Sequence, residues 1–117
     1  MTLNEYQAAA MTTCMPSCRN ESYMLLNLVG EVGEFASKLA KKIRKSELSI
    51  DDNRLLWWSI PEDQYADLRK ECGDIMWQLA GLCSVMGWTL EDVCQENLDK
   101  LASRQARNVI DGNGDNR

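Results

Sequence analysis

Residues 21–45 read ESYMLLNLVGEVGEFASKLAKKIRK, and this stretch decides the fold. Leu25, Leu28, Val32, Phe35, Leu39 and Ile43 recur at steps of three and four. That spacing places them on one face of a helix. A partner stretch runs from about Pro61 to Met86, with Leu68, Cys72, Ile75, Leu79, Leu82 and Met86 as its stripe. Proline suits a first helical turn, and Gly87 is a natural cap at the other end. A shorter helix is expected from about Thr2 to Thr13, with Leu3, Tyr6, Ala10 and Met11 on its apolar side and Pro16 and Ser17 ending it. A fourth is expected from Thr89 to about Asn108, with Leu90, Cys94, Leu98 and Leu101 as its stripe. Thr89 and Asp92 there form a variant of the capping box. Residues 46–60 read as irregular: polar first, then Leu55, Leu56, Trp57 and Trp58. The expected architecture is all-α: one domain over residues 1–110, built as a four-helix bundle. Residues 111–117, rich in Gly, Asn and Asp, read as a disordered tail.

The bulk composition limits the function. At 117 residues the chain suits one domain with its own core, and 44 % hydrophobic against 26 % charged residues is an ordinary globular balance. A net charge of −5 leaves no basic footprint for duplex nucleic acid. No apolar run approaches the ~20 residues that span a bilayer. Residues 1–10 lack the basic-then-apolar order of a secretory leader, and five cysteines are an odd count. Both features predict free thiols in a reducing cytoplasm. Cys72 and Cys94 fall on the apolar stripes, where they read as small hydrophobes. There is no histidine. Ser-His and Cys-His nucleophiles, and zinc sites with a histidine ligand, are therefore excluded.

What remains is carboxylate chemistry. The second helix carries Gly30-Glu31-Val32-Gly33-Glu34, and the third carries Glu71-Cys72-Gly73-Asp74. Each acid pair is spaced i, i+3, so its members share a side of their helix. Each pair also borders its apolar stripe, and packing the stripes together can bring four acids to one rim. Clustered carboxylates repel strongly in a low dielectric. Magnesium, a hard cation with a preference for oxygen ligands, relieves that repulsion and suits phosphate substrates; manganese fits the same ligands. A lone E-x-x-E is most simply a solvated helix face, and it is the doubling of the motif that raises the metal reading. Gly30, Gly33 and Gly73 cost about 1 kcal/mol each against alanine inside a helix, which points to close approach of a helix or ligand.

A third motif supplies cations. Asn97, Lys100 and Arg104 lie in a row on the fourth helix, beside its stripe, and Lys38 shares the Glu31 and Glu34 face. An amide, an ammonium and a guanidinium make a phosphate cradle. Long cationic stems snorkelling beside apolar residues are the plainer alternative. Trp57, Trp58, Trp77 and Trp88 offer faces for a nucleobase, or else pack in the core or at a subunit interface.

The order Glu31-x-x-Glu34, Glu71-x-x-Asp74, then Asn97-x-x-Lys100-x-x-x-Arg104 resembles the MazG-like all-α nucleoside triphosphate pyrophosphohydrolases. The likeness covers about residues 24–104. It implies hydrolysis of a (d)NTP to a (d)NMP and pyrophosphate, in the service of clearing unwanted nucleotides. It implies magnesium on Glu31, Glu34, Glu71 and Asp74, and phosphate contacts from Lys38, Asn97, Lys100 and Arg104. It also implies a homodimer or homotetramer in which subunits share the site wall. Within that scheme Glu34 orients the attacking water, Glu71 is the second catalytic acid, and Lys100 and Arg104 meet the leaving pyrophosphate. Two departures stand out. Many members carry a glutamate where this chain has Gly30, which leaves the metal count open. The 36 residues between Glu34 and Glu71 exceed the gap in compact members, so substrate choice does not transfer. Phosphoribosyl-ATP hydrolysis on the same helical plan, and a non-catalytic oligomerisation module, are the competing readings.

Overall fold

The computed structural model describes residues 1–52 and 54–117. Its helices are α1 (Leu3–Met11), α2 (Glu21–Arg44), α3 (Glu62–Val85) and α4 (Leu90–Ala106). The all-α expectation holds, with each helix within about three residues of its predicted bounds. Single 3-10 turns cover Pro16–Cys18 and Trp57–Ser59. The segment read as irregular contains a small antiparallel ribbon, β1 (Ile50–Asp51) and β2 (Arg54–Leu55), pairing Ile50 with Leu55 and Asp51 with Arg54. Among the described residues, no helix is long and apolar enough to cross a membrane.

The helix bounds follow from local chemistry. Thr2 and Glu5 form a full capping box at the start of α1, with bonds of 3.0 and 2.7 Å. Asn20 caps α2 by accepting from the Tyr23 amide at 2.8 Å, and Thr89 caps α4 by accepting from the Asp92 amide at 3.1 Å. Three helices end in the same motif. A left-handed residue follows the C-cap, and the next amide donates five residues back, as from Glu47 to Lys42, Trp88 to Cys83 and Val109 to Arg104. The left-handed residues are Ser46, Gly87 and Asn108, with φ of 58°, 75° and 55°. Only Gly87 adopts that conformation without steric cost.

α2 and α3 run antiparallel, as their pairings Met24 with Gly81, Lys38 with Glu71 and Lys42 with Gln64 require. Two apolar clusters hold the pair. Met11, Cys14, Met24, Ala80, Cys83 and Leu90 close one end, and Leu48, Ile60 and Leu68 close the other with Phe35, Leu39 and Leu55 packed around them. Gly81 is buried beneath Met24, where a Cβ would overlap the thioether sulfur. α1 lies along α3, pinned by the Trp77 indole N–H, which donates to the Ala10 carbonyl at 3.1 Å and the Thr13 hydroxyl at 2.9 Å. Buried Gln7 ties three elements together. Its amide donates to Ser84 Oγ (2.9 Å) and the Trp88 carbonyl (3.0 Å), and its oxygen accepts from the Leu90 amide (2.8 Å).

The apolar stripes are only partly used. Leu28, Phe35 and Leu39 are half-buried, but Leu25 and Val32 remain about half exposed. Cys72 and Cys94 are exposed rather than packed as small hydrophobes, and Leu98 and Leu101 on α4 are exposed as well. The reason is that α4 packs chiefly on α1 and buries only Leu90 and Arg104. The C-terminal residues 111–117, expected to be disordered, are placed back along α4. The Asp115 carboxylate accepts from Arg104 at 3.0 Å and from Lys100 at 3.3 Å. Those two cations supply the local partners that composition could not reveal.

Candidate functional site

Between the two apolar clusters, the facing sides of α2 and α3 are polar. Asn27, Glu31, Glu34 and Lys38 follow one another on α2 at steps of three and four, and Gln64, Asp67, Glu71, Asp74 and Gln78 do the same on α3. Antiparallel packing sets these rows against each other. Carboxylate oxygens of Glu31, Glu34 and Glu71 all lie within 4.8 Å of one another. Glu71 is buried, Glu31 half-buried and Glu34 exposed, so the group opens to solvent on the Glu34 side.

Asp74, the fourth expected acid, falls outside that trio, but its charge reaches Glu31. Burial pushes the Glu31 carboxyl above its ordinary pKa, and Glu34, Asp74 and Glu71 push in the same direction. Asn27 opposes them by donating to Glu31 Oε1 at 3.2 Å. Asp74 also raises the hydroxyl pKa of Tyr6, after burial, which sets α1 beside the acids. Sequence alone named Tyr6 only on the apolar side of the first helix and passed over Asn27. The i−4 relation of Asn27 to Glu31 was a visible signal, whereas the approach of α1 depends on tertiary packing.

Among the described residues, Lys38 supplies the one cation in contact with the trio. Its ammonium donates to Glu71 Oε1, and that carboxylate holds Lys38 protonated beyond its ordinary range. The ammonium occupies the position a cation would take beside buried Glu71. The donor set, hard carboxylate oxygens on a site open at Glu34, fits magnesium or manganese.

Asn97, Lys100 and Arg104 are not brought to the acids within one chain. Lys100 and Arg104 pair with Asp115, Arg104 is buried in that contact, and Asn97 is exposed on α4. Helical spacing placed them correctly on one face. α4 docks chiefly on α1, and Lys100 and Arg104 meet Asp115 instead of the acids. The tryptophans are also elsewhere. Trp57 meets Tyr65 edge to face, with centroids 6.0 Å apart, in a groove of about 230 Å³ lined by Phe35, Leu68 and Cys72. Glu31, Glu34 and Glu71 do not line that groove. Trp77 is held against α1, and Trp58 and Trp88 are exposed. Gly33 and Gly73 have nothing within 4 Å of a built Cβ, so close helix approach does not account for them.

The family model for the MazG nucleotide pyrophosphohydrolase domain matches residues 19–109. Gene 37 protein of Mycobacterium phage L5 is 38 % identical over 125 aligned positions, which span all of both chains. Its name states no activity. No solved structure matches.

Proposed function

The chain belongs to the MazG nucleotide pyrophosphohydrolase family, and from that premise we propose that it hydrolyses a nucleoside triphosphate to the monophosphate and pyrophosphate with magnesium as cofactor. The observation that carries this reading is the meeting of Glu31, Glu34 and Glu71 within 4.8 Å across two antiparallel helices. Asp74 is the fourth ligand in the proposal, since its charge already acts on Glu31. A divalent ion there would neutralise phosphate charge and polarise the phosphorus under attack.

The side chains divide the remaining work. Glu34, the exposed acid, orients the attacking water and accepts its proton. The water oxygen bonds to the α-phosphorus as the bond to the α–β bridging oxygen breaks, and pyrophosphate departs with that electron pair. Lys38 exchanges Glu71 for a phosphate oxygen when the cation site is filled. Asn97, Lys100 and Arg104 take part only when a second copy carries them to the acids. Leu25, Leu26 and Val29, at 51, 76 and 72 % exposure, offer an apolar face for such a copy in a homodimer or homotetramer. The free thiols fit a reducing cytoplasm. Removal of unwanted nucleotides is the proposed role.

The test is pyrophosphate release from a dNTP and NTP panel that includes phosphoribosyl-ATP, with wild type set against Glu71→Gln. Magnesium-dependent release by wild type, reduced at least a hundredfold in the variant, is expected for a buried ligand. Equal release by both proteins overturns the site. No release on any substrate leaves the oligomerisation module as the better reading.

A further inference from the structure

The acid row of α2 does not stop at Glu34. Glu31, Glu34, Lys38, Lys41 and Lys45 continue at steps of three and four, so one ridge changes sign halfway along. The basic half closes into a cleft. Lys38, Lys41, Lys42 and Lys45 line a hollow of about 340 Å³, with Gln64, Asp67 and Leu68 of α3 opposite. Four ammonium groups there face the carboxylates of Glu47 and Asp67. Lys42 is held in place, its Nζ 2.5 Å from Gln64 Oε1 and 3.9 Å from Glu47. Lys41 and Lys45 have no ion-pair partner among the described residues. Lys38 belongs to both regions, because it lines the cleft and touches Glu71.

We propose that this lysine cleft is the subsite for the leaving pyrophosphate, with Lys41 and Lys45 as its phosphate-binding residues. The inference rests on the pyrophosphohydrolase reading of the adjoining acids. A nucleotide whose α-phosphorus lies at the carboxylates must send its β- and γ-phosphates one way and its nucleoside the other. The free ammonium groups lie toward the C-terminus of α2, on the same ridge as the acids. Asn27 and Tyr6 lie in the opposite direction, toward α1, and define the nucleoside side. The aromatic groove at Trp57 shares Leu68 with this cleft but none of its lysines, and takes no part. Cations near a helix C-terminus are also favoured by the macrodipole alone. That effect accounts for lysines in the last turn of α2, but not for their lining a hollow that shares Lys38 with the acid site, which Arg44 of the same turn does not line.

Inorganic pyrophosphate with magnesium, titrated calorimetrically into the full chain, tests the subsite without turnover. Lys41→Gln and Lys45→Gln remove the charge and keep polarity at exposed positions, and Arg44→Gln is the control outside the cleft. Each lysine variant is expected to weaken pyrophosphate binding roughly tenfold, and the pair about a hundredfold, with Arg44→Gln unchanged. The same lysine variants should raise KM for the nucleotide more than they lower kcat. Pyrophosphate binding absent from wild type, unchanged in the double variant, or equally weakened by Arg44→Gln overturns the subsite. Turnover is scored separately. Lysine-dependent pyrophosphate binding in a protein that cleaves no nucleotide sinks the enzymatic reading alone, and normal turnover with lysine-independent binding sinks the cleft alone.

Discussion

The ammonium of Lys38 on α2 donates to the carboxylate of Glu71 on α3, an acid only 8 % exposed. The pair joins the two long helices at the point where their acids converge. Lys38 itself is half exposed, so solvent screens its share of the energy. Removing it nonetheless leaves a buried carboxylate without a counter-ion. Lys38→Met is expected to lower the Tm in EDTA by a few degrees. Magnesium should then stabilise the variant more than it stabilises wild type. Thermal melts with and without the ion read both quantities, and an identical magnesium increment in the two proteins contradicts the stand-in role.

Gln7 satisfies the amide of Leu90 and the carbonyl of Trp88 from one buried side chain. Gln7→Leu leaves those backbone groups unpaired at the joint of α1, α3 and α4. The expected loss is about 2 kcal/mol, visible as a lower urea midpoint with an unchanged m-value. A loss below ~0.5 kcal/mol would mean that solvent reaches the joint.

Glycines that look alike in sequence should respond oppositely. Gly73→Ala adds a Cβ in open space inside α3 and should gain up to ~1 kcal/mol. Gly81→Ala drives a Cβ into fully buried Met24, and overpacking of about 1–3 kcal/mol cancels or exceeds that gain. Chemical denaturation of the two variants checks the ordering, and a Gly81→Ala protein as stable as Gly73→Ala refutes the packing argument.

The contact between Asp115 and α4 should depend on pH. Hydrogen bonds from Arg104 and Lys100 hold the Asp115 carboxyl below the ordinary aspartate range. A depressed carboxyl contributes above its unfolded pKa of about 3.9 and loses that contribution as pH falls through the lower folded value. The tail should stay docked at neutral pH and release in acid, below pH ~4. Asp115→Asn should remove the pH dependence. Backbone amide exchange of residues 111–117 across an acid titration reports it, and pH-independent exchange in wild type rules the contact out.

The acid pairs were legible because each lies within one turn of helix, where spacing alone sets the face. The trio could be anticipated from two such pairs and a shared apolar border. The position of Asp74 at its edge could not, because the offset between α2 and α3 depends on how Met24 and Leu68 seat at opposite ends. Asn97, Lys100 and Arg104 show the same limit more sharply. Their alignment on one face was correct, yet the face points at Asp115.

The sequence by itself determined the all-α class, the helix bounds and the sign change along α2. These depend on caps, left-handed turn residues and i, i+3/i+4 spacing, all decided by neighbours within a few residues. Only the tertiary structure decided that Lys38 meets Glu71, that Glu31, Glu34 and Glu71 converge, and that Lys100 and Arg104 pair with Asp115. Those outcomes depend on which apolar residues pack together across distant elements, and periodicity names a helix face without naming its partner.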